Sequence, residues 1–129
     1  MAQSNVEAIQ ALYRAFLKRE LMTILSLVDS GIEIRQSEAV PWGGTYKGLG
    51  GLKEFFGKLL ENVDSKVEFT EWIESGDSVV AIGRSRGTVL ANGNTFDIAI
   101  VHVWHLRNGK AILFEPYIDT AAMLKALGK

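Results

Sequence analysis

Apolar residues open the chain at helical spacing. Val6, Ile9, Leu12, Tyr13, Phe16 and Leu17 recur every three or four positions and fall on one face, behind Ser4 as a cap with Glu7 as its capping-box partner. A second, shorter run follows over 21–28 (Leu21, Ile24, Leu25, Leu27, Val28) and stops at Asp29-Ser30-Gly31. Residues 31–37 alternate Ile32 and Ile34 against Glu33 and Arg35, which predicts a strand. After the glycine-rich stretch PWGGTYKGLGG at 41–51, Leu52, Phe55, Phe56, Leu59 and Leu60 place a third helix over 49–62.

From Lys66 the period changes to two. Strands are predicted over 66–73, 78–90, 95–106 and 111–118, joined by Glu74-Ser75-Gly76-Asp77, by Asn92-Gly93 and by Asn108-Gly109, the last two being strong hairpin signals. Asp119 then caps a final helix through Leu127, with Gly128 as its stop. Tight turns force antiparallel neighbours, because a parallel pair needs a crossover of a dozen or more residues. The pattern therefore predicts an α+β domain, a curved antiparallel sheet with helices packed on one face.

Composition narrows the function classes. The chain has 129 residues, 47% hydrophobic and 22% charged, the size of one globular domain over 1–129. It has no cysteine, so disulfides, thiolate metal sites and cysteine nucleophiles are excluded. Fourteen basic and fifteen acidic residues are intermixed, without the basic footprint of a nucleic-acid binder. The opening MAQSNVEAIQ lacks the basic and apolar regions of a signal peptide, and no apolar run approaches a membrane span, so a cytoplasmic location and no membrane partner are expected.

The glycine loop invites a phosphate reading that its spacing defeats. No Gly-Lys-Ser/Thr closes it, the G-x-G-x-x-G pattern breaks at its last glycine, and the helix behind it leads into hairpins rather than a βαβ unit. Trp42 and Tyr46 on this loop either plug the end of a core or line the rim of a ligand pocket.

The block PWGGTYKGLGGLKEFFGKL, the strand and turn VHVWHLRNGKA and the ending YIDTAAMLKAL resemble the SnoaL-like branch of the ketosteroid isomerase and nuclear-transport-factor-2-like superfamily. The resemblance covers essentially the whole chain. It implies a cystatin-like cone, a bent sheet wrapped by helices around a deep apolar pocket, in a homodimer. Relatives include isomerases, polyketide cyclases, epoxide hydrolases and binding or assembly domains, so fold does not give the reaction.

Tyr13 lies where isomerase relatives place a phenol that donates to a substrate oxyanion. His102 falls among Ile98, Ile100, Trp104 and Leu106 on the apolar face of its strand, opposite His105, and the resemblance points it into the cavity, where isomerase relatives carry an acidic donor. A satisfied core tyrosine and a satisfied core histidine are the structural alternatives. The relatives' first-strand carboxylate has no counterpart at Arg35; Glu33 stands two residues earlier, on the same side of a regular strand. Glu115, with Tyr117 on the same face of the last strand, is the other candidate acid.

The expected site is therefore Tyr13, His102 and Glu115 as catalytic groups, with Phe16, Glu33, Arg35, Trp42, Tyr46, Phe56, Trp104 and Tyr117 about the ligand. With only two histidines, on opposite strand faces, no metal set is expected, and no cofactor. The favoured reading is proton transfer on a small hydrophobic carbonyl compound by an isomerase or cyclase. The alternatives are a non-catalytic ligand-binding or dimerisation module, and an epoxide-hydrolase-like enzyme using Arg35 with Glu33 and Glu115.

Overall fold

The computed structural model describes residues 4–129. Its elements run α1 (Asn5–Lys18), α2 (Leu21–Leu27), β1 (Val28–Gln36), β2 (Gly44–Lys47), α3 (Gly48–Asn62), β3 (Val63–Ser75), β4 (Ser78–Val89), β5 (Thr95–Arg107), β6 (Lys110–Ile118) and α4 (Thr120–Ala126). The six strands form a curved, unclosed sheet in the order β2-β1-β6-β5-β4-β3. All pairs are antiparallel except β1 with β6, which the long passage through α3 and four strands makes possible. Among the described residues no helix is long and apolar enough to cross a membrane.

The capping box at Ser4 and Glu7 forms, and Asp119 accepts from the Ala122 amide at the start of α4. Hairpin chemistry sets the four long strands; β3, β5 and β6 extend beyond the period-two pattern by one to three residues, and β4 stops one residue short of it. Strand β2 was hidden inside the glycine loop, being four residues long and paired only with β1. There Trp42 and Tyr46 are 2% and 6% exposed, and the Tyr46 hydroxyl donates to the Trp42 and Gly43 carbonyls at 3.1 and 3.0 Å. Both rings are buried in the core, and Tyr46 also borders a concavity beside the loop. Gly51 lets α3 lie against this strand, since a Cβ there would sit 3.0 Å from the Tyr46 carbonyl carbon.

One face of the sheet is buried by α1, α3 and α4. Along β5 every second residue from Phe96 to Leu106 points inward, in the alternation the sequence predicted. Strand β3 departs from strict alternation: the register slips between Phe69 and Glu71, so that Phe69 faces Gly83 and Trp72 faces Ala81. That bulge brings both rings to the inner face, where an unbroken period of two would separate them. Gly83 is the small partner the bulge requires, because a Cβ there would lie 1.9 Å from the Glu68 carbonyl oxygen and 2.7 Å from Phe69 Cα.

Candidate functional site

The inner face is apolar with few exceptions. Among buried residues the polar ones are Gln36, Ser85 and His102, at 6%, 9% and 8% exposure. His102 reaches its place because β5 alternates cleanly; Tyr13 reaches it because α1 is docked on β3, its Val6 amide donating to Glu74 Oε1 at 2.9 Å. The Tyr13 hydroxyl and His102 Nδ1 are 2.6 Å apart, and the Trp104 indole N–H donates to the same hydroxyl oxygen at 3.0 Å.

Two tautomers of His102 fit this chain. With the ring proton on Nε2, Tyr13 accepts from Trp104 and gives its single proton to His102 Nδ1, and the short 2.6 Å separation suits a hydroxyl donor. With the proton on Nδ1, the Tyr13 oxygen accepts from both rings and its own proton is free. Among the described residues Nε2 has no protein hydrogen-bond partner and is not wholly sealed, in a residue that is 8% exposed.

Burial fixes the charge state of both groups. It pushes the His102 pKa from 6.5 down to about 3, so the ring is neutral at physiological pH. Burial also raises the Tyr13 pKa well above 10, against a smaller opposing effect of the Trp104 N–H. The chain can donate a hydrogen bond from Nε2, while a phenolate at Tyr13 is strongly disfavoured.

Aromatic rings surround it. Tyr13 packs on Phe69 (centroids 4.9 Å apart) and edge-on to Trp72 (6.0 Å), and Phe114 stacks on Trp104 at 4.0 Å while meeting His102 edge-on at 5.1 Å. Phe16 and Phe56 pair with each other at 4.8 Å, next to Phe55. Phe69, Trp72, Phe114, Gln36 and Ser85 were not singled out from sequence. Alternation along β6 and β1 held a signal for Phe114 and Gln36; the bulge removed it for the pair Phe69 and Trp72.

Glu33, Arg35, Glu115 and Tyr117 come together, but on the outer face of the sheet. Arg35 pairs with Glu33 and lies 3.9 Å from Glu115 Oε2, to which the Tyr117 hydroxyl donates at 3.2 Å. His105, bonded through Nδ1 to the Ser78 hydroxyl at 2.9 Å, places Nε2 3.8 Å from Glu115 Oε1. The sheet separates this cluster from Tyr13 and His102. Alternation dictates the split, since Ile32, Ile34 and Gln36 take the inner side of β1, and Phe114 and Pro116 that of β6.

Two concavities lie away from the chain of hydrogen bonds. One, of about 310 Å³, runs along Asp64–Lys66 and past Arg84, Arg86 and Gly87; the other, of about 500 Å³, lies beside the glycine loop between Lys47 and Lys58. Neither includes Tyr13 or His102.

A bent sheet folded over helices is the α+β architecture of the nuclear-transport-factor-2-like class. The chain belongs to the SnoaL-like domain family, which matches residues 9–114. None of the curated proteins matches it. A nuclear-transport-factor-2-like protein of unknown function from Burkholderia pseudomallei is 27% identical over 99% of this chain and 100% of its own, with a TM-score of 0.89. TerC, co-crystallised with polyporic acid, is 34% identical over 97% of this chain and 98% of its own, at a TM-score of 0.86. A proposed polyketide cyclase from Pseudomonas putida is 16% identical over 97% and 98% of the two chains, at 0.81, a likeness of fold alone.

Proposed function

We propose that this protein, as a single domain, binds a small hydrophobic carbonyl or phenolic compound and acts on it as an isomerase or cyclase of the SnoaL-like kind. The carrying observation is the hydrogen-bonded chain of Trp104, Tyr13 and His102, in which Nε2 has no protein partner among the described residues; with Tyr13 as donor to Nδ1, Nε2 presents a neutral N–H. A carbonyl oxygen placed there would gain a donor whose orientation is already set, and the enolate formed by loss of a neighbouring proton would gain more. Tyr13 acts through His102 in this reading, its own proton being committed. Polyporic acid in the related TerC supports a hydrophobic cyclic ligand.

Among the described residues no carboxylate is buried, so the proton at carbon would leave to water or to a group of the ligand itself. The same lack favours binding without turnover as the second reading. Hydrolysis through Glu33, Arg35 and Glu115 finds no support, because those groups face away from the cone.

The two readings separate in one experiment with 2-tetralone in D₂O. Addition should shift the His102 Nε2 and Trp104 indole signals of ¹⁵N-labelled protein, and exchange at the tetralone α-carbon should fall roughly 100-fold in His102→Phe. Shifts without exchange select the binding module; no shifts at saturating ligand end both readings.

We also propose a homodimer through the outer sheet face. Val80, Ile82, Val101 and Val103 form a partly exposed apolar patch there, beside Tyr117 at 55% exposure. A sedimentation mass of one chain at micromolar concentration would count against it.

A further inference from the structure

Gln36 is an amide that the folded chain leaves without an assignment. It is 6% exposed at the end of β1, on the same inner side as Ile32 and Ile34, and among the described residues its side chain has no hydrogen-bond partner. No buried side-chain N or O atom among the described residues is sealed without a partner, so this amide keeps some exposure. An amide held among apolar neighbours in this way takes its hydrogen bonds from whatever occupies that exposed side, water or a ligand.

The register sets Gln36 and His102 in one row. His102 pairs with Pro116, and the last pair between β1 and β6 is Ile34 with Phe114, so Gln36 continues to the level of Pro116. Proline has no N–H for the ladder, and the β1–β6 pairing stops two residues before it. Two strand spacings separate the Cα atoms of Gln36 and His102, about 10 Å, with the small Pro116 ring between. The row thus has a donor at one end, an amide able to donate and accept at the other, and an apolar floor.

We propose that Gln36 is a second polar anchor of the ligand site, and that the site takes an uncharged, flat hydrophobic compound with oxygen functions at both ends. This rests on the reading of His102 as the first anchor. A carboxylate ligand is disfavoured, since neither anchor is charged and burial holds His102 neutral.

The test compares 2,6-dihydroxynaphthalene with 2-naphthol, followed by quenching of tryptophan fluorescence and by the Gln36 side-chain amide signals of ¹⁵N-labelled protein, assigned with Gln36→Met. The wild type should bind the diol about five- to tenfold more tightly, the range of one neutral hydrogen bond, and only the diol should move the Gln36 amide. Gln36→Met and Gln36→Leu should bind both compounds alike, with 2-naphthol affinity kept. Equal affinity of the wild type for both probes, or an unmoved amide, overturns the second anchor and leaves His102 standing. If neither probe binds at millimolar concentration, the ligand site as a whole falls.

Discussion

Lowering the pH from 7 to 5 should remove about 2 kcal/mol of stability through His102 alone. In the unfolded chain this imidazole titrates near 6.5; in the fold burial holds it to about 3. Between those values the unfolded state binds the extra proton and the folded state does not, so stability rises with pH throughout the window. The effect is absent well above 6.5, begins as pH falls through that value, and continues to grow toward 3. From 6.5 to 5 it amounts to about 1.5 pH units at about 1.4 kcal/mol each. The rings packed on His102, Tyr13, Phe69 and Phe114, carry no charge in this range, so no facing carboxylate offsets the loss. Surface carboxylates add their own slope, which makes the difference between variants the informative quantity. Urea unfolding at pH 7, 6 and 5 should show His102→Asn, whose amide oxygen can still accept from Tyr13, losing about 2 kcal/mol less than wild type over that interval. Parallel slopes for the two proteins would show that His102 is protonated in the fold and is not buried as described.

The same residue marks the boundary between what the sequence carried and what it did not. Elements and their order were legible because capping groups, helical spacing and hairpin turns act within a few residues of one another. The placement of His102 and Trp104 on the inner face was legible for the same reason: β5 alternates without interruption until His105. What could not be read depends on partners far along the chain. Whether Trp42 and Tyr46 plug or line a cavity is decided by β2 pairing with β1, and Phe69 reaches Tyr13 only through a bulge that Gly83 admits from the neighbouring strand. Glu115 seemed a candidate acid because alternation assigns residues to sides without naming the side; pairing with β5 puts it among His105, Arg35 and Tyr117 on the outside. Gln36 was passed over because a polar residue at a strand end usually faces water, and the strand's own alternation was the signal that it does not.

Trp104→Ala should destabilise the protein by about 3–5 kcal/mol, the range for deleting a large buried ring. Trp104 is 1% exposed at the centre of the inner face, stacked on Phe114 and edge-on to Tyr13 at 5.7 Å. A domain of this size holds about 5–15 kcal/mol in total, so this variant should show a much lower urea midpoint or fail to fold. Trp104→Phe separates packing from chemistry. A phenyl ring can keep the stack on Phe114, at a cost nearer 1–2 kcal/mol, but it has no N–H to give Tyr13. With that donor gone, the Tyr13 oxygen has room to accept from His102 Nδ1–H, and the reversed tautomer, which would free a Tyr13 proton for the ligand and leave Nε2 as an acceptor, gains population. Histidine ¹⁵N shifts report this directly. Wild type should show His102 as one neutral form protonated at Nε2, and Trp104→Phe should add a measurable share of the Nδ1–H form. If wild type is already protonated at Nδ1, the direction of the chain is reversed, and Tyr13 becomes the group that faces the ligand.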